Sequence, residues 1–313
     1  MNQRSVGLSA ALIATILWGL QFPVLAVVLP DLDPFWLTLI RYACATAILA
    51  AIVALREGSA AFSLAGRGWT VALLGILGFS VFNVALLIGI RISGPQHGSL
   101  IMATTPLLAV LIGWMRGGVA PTLRTFGFIA LAFLGVALVV TKGSPASVLA
   151  TGTWTGDVLM LAGATCWATY TSFVPSFRTW SPIRYTMMGA FFGTCSTLVF
   201  ALVATAFGFS HIPTLTGVAH ALPGMTFLVV FGAVVALVAW NIGIAKLGSS
   251  TAVLFMNVVP ITAFTVAVAF GARYPAIEYV GAALTICALL FNNVIGRAPV
   301  AESIVGDRAL RSA

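Results

Sequence analysis

The sequence predicts an all-α integral membrane protein built from ten transmembrane helices, arranged as two inverted five-helix repeats. Three observations predict it. Sixty per cent of the 313 residues are hydrophobic and only 7% are charged; a soluble domain carries about 25% charged residues, so this composition could not clothe a water-facing surface. Ten apolar stretches, roughly 7–29, 34–55, 68–90, 96–115, 123–141, 154–175, 182–207, 222–245, 249–270 and 275–296, are each close to the ~20 residues that a helix needs to cross a bilayer. Finally, the chain copies itself: Gly78, Gly89, Gly94, Pro106 and Gly127 recur 154 residues later as Gly232, Gly243, Gly248, Pro260 and Gly281. Five spans per copy is an odd number, which turns the second copy upside down relative to the first. Inverted repeats with helices broken at matching places are a secondary-transporter architecture.

Each segment has its own support. The first follows Arg4; it is too long for the apolar region of a signal peptide and lacks a small-residue cleavage site, so it is expected to stay as a helix. The second and seventh open on Asp33-Pro34 and Ser181-Pro182, a capping residue before a proline. The third and fourth meet at Gly94-Pro95-Gln96-His97-Gly98-Ser99, the eighth and ninth at Leu247-Gly248-Ser249-Ser250-Thr251; glycine permits a close turn at each joint. Pro106 and Pro260 fall about midway through the fourth and ninth segments, where proline kinks a helix. Gly94, Pro106, Gly248 and Pro260 are therefore the candidate gating and kink positions. Gly127, Gly135, Gly189, Gly193 and Gly281 suit close helix packing. Residues 142–152, rich in Gly, Ser, Pro and Thr, read as the linker. The expected organisation is a first repeat over 1–146, a second over 147–297 and a tail over 298–313.

Charge placement fixes the expected topology. With ten spans, eleven Lys/Arg residues collect on the side of the termini and three (Arg91, Lys142, Arg273) on the other, a positive-inside bias that places both termini in the cytoplasm. The net charge of +8 thus reports orientation, and no basic, aromatic-interleaved stripe suggests nucleic-acid binding. Cys44, Cys166, Cys195 and Cys287 all fall inside spans and read as small buried hydrophobes. No metal-ligand, nucleophile-elbow or intramembrane aspartate motif is present. The chain is expected not to be an enzyme and to need no cofactor or metal; a channel remains the competing class, although rings of charge that build channel filters are not evident.

Trp18-Gly19 in the first helix, the two five-helix halves and the proline-bearing fourth and ninth helices resemble the drug/metabolite transporter superfamily, in particular its EamA-type ten-helix members. The chain is also similar to YddG-type amino-acid exporters. This resemblance implies export of a small-molecule substrate, aromatic or other hydrophobic amino acids, across the bacterial inner membrane. It also implies a cavity walled by helices one to four and six to nine, with five and ten outside. Helices five and ten are indeed poor in interior polar residues. The only basic residue well within a span is Arg41, which argues against the sugar-phosphate branch of the superfamily.

The candidate substrate contacts are Trp18, Gln21, Phe79, Phe82, Asn83, His97, Trp167, Tyr170, Trp240 and Asn241. Trp18 and Trp167 occupy equivalent repeat positions, and Phe79, Phe82 and Asn83 share a face of the third helix at helical spacing. Apolar walls with a few neutral hydrogen-bonding groups suit a hydrophobic neutral or zwitterionic solute. Arg41 admits two roles: it holds a substrate carboxylate, or it is tied structurally to Asp157 or snorkels outward. No carboxylate lies near the middle of a span, which favours movement down a gradient or coupling through a residue that the sequence does not mark. The expected partners are the substrate and the bilayer, with no nucleic acid; both a monomer and a weak homo-oligomer are compatible with the sequence.

Overall fold

The structure is a computed structural model describing residues 3–116, 120–141, 144 and 152–295. Most of the expected linker and all of the tail lie outside the described residues. Among these residues all regular structure is helical. The rods are α1 (Gln3–Val28), α2 (Pro34–Glu57), α3 (Gly68–Ser93), α4 (Pro95–Ala103 continued by Thr105–Met115), α5 (Leu123–Thr141), α6 (Trp154–Ser172), α7 (Pro182–Ala206), α8 (Leu215–Leu247), α9 (Ser249–Ala252 and Val258–Ala269, joined by the 3-10 turn Val253–Asn257) and α10 (Ala276–Ile295). α1, α2, α3, α7 and α8 are each long and apolar enough to cross a membrane, and the bent α4 brings the number to six. Shorter apolar runs lie in α5 (Leu123–Val139), α9 (Phe255–Ala269) and α10 (Ala276–Ala288).

Local chemistry sets the boundaries. Asp33 Oδ1 accepts from the Phe35 backbone N–H at 2.9 Å, and Ser181 Oγ from that of Arg184 at 3.0 Å, each just before the proline that opens the helix. Thr214 caps α8 in the same way, accepting from Gly217 N at 3.1 Å. That cap starts α8 at Leu215, ahead of the expected 222, with Pro223 carried inside it. Gly94 (φ 94°) and Gly248 (φ 78°) sit in the left-handed region between consecutive rods, a conformation that penalises any residue with a Cβ.

The breaks differ from the expected mid-helix kinks. α4 bends by 42° at Thr104, and Pro106 falls in the first turn of the following segment. There its missing N–H costs no helical hydrogen bond. Pro260 likewise follows the 3-10 turn of α9. Two further irregularities left no trace in the hydrophobic pattern: π-helical turns at Ile76–Val81 in α3 and Leu228–Val235 in α8. They surround Gly78 and Gly232, one repeat length apart.

Packing follows the repeat. α1 lies on α8 and α9, while its counterpart α6 lies on α3 and α4; α2 pairs with α7, and α5 with α10. Small residues set these approaches. A Cβ added at Gly89 would stand 2.6 Å from Gly156 O and 2.2 Å from Met160 Cγ. At Gly243 it would meet Ala11 Cβ at 3.1 Å, and Ala11 is the repeat counterpart of Met160. Gly135 and Gly281 lie over each other's carbonyls, at 2.6 Å for either added Cβ, closing α5 onto α10. Gly127 faces open space. Without water to drive association, such van der Waals contact is what holds membrane helices together.

Candidate functional site

A small cavity of about 30 Å³ lies where the two repeats meet, room for about two water molecules. Trp18, Gln21, Phe22 and Leu25 reach it from α1, Arg41 and Tyr42 from α2, and Phe82, Asn83 and Leu86 from α3. Met102 of α4 completes the first repeat's share, and Trp167, Leu237, Met256 and Val259 come from α6, α8 and α9. Among the described residues α5 and α10 contribute nothing to the wall. Equivalent positions recur across the repeats: Trp18 with Trp167, Asn83 with Leu237, Met102 with Met256.

The cavity's polarity is one-sided. Arg41, 4% exposed, donates through Nη2 to Gln21 Oε1 at 2.7 Å. Its Nε has no partner. The Tyr42 hydroxyl donates to Asn83 Oδ1 at 3.2 Å, and Asn83 Nδ2 donates to Phe79 O one turn back at 3.1 Å. All of these polar groups belong to the first repeat. Among the described residues the second repeat presents indole, thioether and aliphatic surface. Behind Arg41 lies Gly232 in the π turn of α8, where an added Cβ would sit 3.0 Å from Gln21 Oε1 and 3.2 Å from Arg41 Nη2. The same π turn accepts the indole N–H of Trp18 at Gly232 O, 3.2 Å away.

Aromatic contacts run behind the cavity as a continuous chain. Trp18 meets Trp240 with ring centroids 5.2 Å apart and Trp167 edge-on at 5.5 Å. Trp167 contacts Phe82 at 5.4 Å and stacks on Tyr170 at 5.3 Å, and Tyr170 stacks on Tyr185 at 5.1 Å.

The structure therefore divides the expected contacts. Trp18, Gln21, Arg41, Phe82, Asn83 and Trp167 line the cavity. Phe79, Tyr170, Trp240 and Asn241 do not; they form the layer behind it. Phe79 packs edge-on against Tyr42 and Tyr170, 5.3 and 5.1 Å away, because the π turn alters the helical register between it and Phe82. Asn241 Nδ2 donates to Thr186 Oγ1. His97 is also apart from the cavity: its Nδ1 lies 2.9 Å from Asp157 Oδ1, and both side chains are buried. With Asp157 taken up by His97, the side-chain partner of Arg41 is Gln21. Tyr42, Phe22, Leu25, Met102, Met256 and Val259 were not foreseen. Met102 and Met256 stand one repeat length apart, and that spacing was the signal that could have found them.

Both ends of the bundle are tied across the repeats. At one end, besides His97–Asp157, Ser93 Oγ donates to Thr153 O at 2.8 Å, Ser210 Oγ to Asp33 Oδ1 at 2.7 Å, and Asp31 Oδ2 lies 2.7 Å from His220 Nδ1. At the other, three arginines clasp the connectors. Arg67 donates to Ser176 O, Arg116 to Ser172 Oγ at 3.2 Å and Arg184 to Ser63 O at 2.6 Å. Arg116 also lies over the Phe173 ring at 3.7 Å and Arg184 over Trp180 at 4.3 Å. Beyond Phe22, an outer cleft of about 420 Å³ opens between α1, α4 and α9.

The EamA-like transporter family model matches residues 5–141 and again residues 154–294. A Bacillus subtilis (strain 168) protein named "Uncharacterized transporter YrdR" is 33% identical over 300 residues, spanning 95% of this chain and 94% of its own. A second protein of that organism, "Uncharacterized transporter YyaM", is 30% identical over 264 residues, spanning 83% of this chain and 84% of its own. One crystal structure shares the fold with a TM-score of 0.65 at 20% identity, covering 97% of this chain and 98% of that one.

Proposed function

The chain belongs to the EamA-like transporter family, and on that premise we propose that it is a secondary transporter working by alternating access, with aromatic and other hydrophobic amino acids as export substrates. The observation that carries the reading is the cavity at the junction of the repeats. It is walled by aromatic and aliphatic side chains, has a polar end at Arg41, Gln21 and Asn83, and is tied shut at both ends of the bundle. Ligand sites of drug-sized solutes occupy about 300–1,000 Å³, so a space of about 30 Å³ belongs to an occluded state that must open to load. Rocking of the repeats about the cavity, with the breaks in α4 and α9 as hinges, would open one end while the other stays clasped.

Several features support the finer points. α1 begins at the end where Lys246 donates to Gln3, whereas α6 begins at the opposite end, where Ser93 meets Thr153; this is the sense expected of inverted halves with five crossings each. The Lys/Arg bias supports cytoplasmic termini in a bacterial inner membrane. Export is what the resemblance to amino-acid exporters implies. The bilayer and the solute are the only partners the reading requires, and no catalysis enters it.

The test is counterflow in proteoliposomes loaded with unlabelled phenylalanine, tryptophan or leucine, with and without an imposed pH gradient. Saturable exchange of labelled solute is the expected result. Non-saturable flux would mark a channel, and absence of movement for every hydrophobic amino acid would defeat the substrate assignment.

A further inference from the structure

We infer that the cavity recognises its solute through a carboxylate and has no use for an ammonium group, so that small amphipathic monocarboxylates bind at least as well as the corresponding amino acids. The inference rests on the cavity being the transport site, as proposed above, and narrows what that site reads.

The first observation is a surplus of donors. Among the described residues Arg41 is the sole charged side chain lining the cavity, and none of the lining side chains is a carboxylate. The guanidinium carries five N–H donors; the one bonded side-chain partner it has here is the neutral Gln21 oxygen, and Nε is buried without any. A cation enclosed in a membrane protein without a counter-ion is held at a cost, and an incoming carboxylate would remove that cost. Guanidinium and carboxylate match as parallel forks.

The second observation is that every side-chain acceptor lining the cavity is neutral. The Gln21 side-chain oxygen already accepts from Arg41 Nη2, and the Asn83 oxygen from the Tyr42 hydroxyl, so each is neutral and half engaged. The second repeat offers Trp167, Leu237, Met256 and Val259, none with a side-chain oxygen. The indole rings that could attract a cation are packed on one another, Trp18 against Trp167 and Trp240. An ammonium group would therefore trade its water for a few neutral oxygens beside the like-charged Arg41 guanidinium, which repels it. The repeat symmetry sharpens the contrast: the counterpart of Arg41 in α7 is Gly189, so the charge has been placed in one half only. The opposite wall is left apolar for the solute's hydrophobic part.

The test is direct binding to the purified full-length protein by titration calorimetry, comparing phenylalanine, 3-phenylpropionate and phenethylamine. These share a ring and chain and differ in which charged group they keep. The expected order is 3-phenylpropionate at least as tight as phenylalanine, and phenethylamine weaker by about tenfold or more, the value of a charge-assisted hydrogen bond. Arg41→Gln should abolish the preference and Arg41→Lys should retain part of it. Should neither variant fold, the wild-type series alone decides. Phenethylamine binding as well as 3-phenylpropionate, phenylalanine binding tenfold tighter than the plain acid, a failure of 3-phenylpropionate to bind, or a preference that survives Arg41→Gln would each overturn the inference. Binding of 3-phenylpropionate without phenylalanine would leave it standing and overturn the amino-acid reading instead.

Discussion

The indole of Trp18 donates its N–H to the backbone carbonyl of Gly232, 3.2 Å away, and so ties the first helix of one repeat to the π turn of the other. The Trp18 ring forms cavity wall on one side, while its N–H fixes the helix that backs Arg41. The repeat reproduces the geometry with different chemistry. A Cβ on Gly78, in the π turn of α3, would meet the Tyr170 ring at 2.6 Å, and Tyr170 is the counterpart of Gln21. The two halves thus keep their packing and differ in what they present to the cavity.

Trp18→Phe keeps a ring and removes the donor. Leaving the Gly232 carbonyl without its partner should cost about 1–3 kcal/mol. If that carbonyl positions Arg41, exchange in proteoliposomes should fall by roughly tenfold at equal membrane abundance. Unchanged exchange would mean that Trp18 acts through its ring alone.

Much of the architecture was legible because membrane burial leaves a coarse signal: long apolar runs, capped prolines at 34 and 182, and one spacing repeated across Gly89, Gly94 and their partners. The cavity was half legible. Trp18 and Trp167 announce themselves as bulky residues at matched positions, and Gln21, Arg41 and Asn83 as polar residues inside apolar runs. Phe79 did not follow the rule, because a π turn shifts register without altering composition. Met102 and Met256 carry no polar mark. The His97–Asp157 pair joins residues far apart in sequence, and only the contact of α4 with α6 brings them together.

Gly89→Ala and Gly127→Ala form a contrasting pair. At Gly89 the new Cβ would press on Met160 and the Gly156 carbonyl; at Gly127 it would meet nothing within 4 Å. Overpacking costs about 1–3 kcal/mol. In detergent the first variant should melt several degrees lower and the second should match the parent. Equal melting of the two would deny that α3 and α6 are set by this approach.

Arg184→Gln tests the arginine clasp. Its guanidinium bonds the Ser63 carbonyl and covers the Trp180 ring, but contacts at an exposed site are worth under about 1 kcal/mol each. Loosening should therefore be modest. A cysteine placed at Ser172, read with a membrane-impermeant maleimide from the termini's side, should react a few-fold faster in the variant. A rate unchanged or slowed would remove the clasp from the closure of that end.

His97→Ala strikes the opposite end. Asp157 Oδ1 would lose its imidazole partner, and Oδ2 has none already. Both side chains are buried, at 3% and 9% exposure, and breaking a buried pair by removing one member costs about 3–5 kcal/mol, because the stranded charge stays out of water. Asp157→Asn introduced beside His97→Ala removes that charge and should recover part of the loss. The coupling between the two sites, measured by melting the four proteins of a double-mutant cycle, should then be large. Losses that simply add would show that His97 fills space at the α4–α6 contact and does not answer the aspartate.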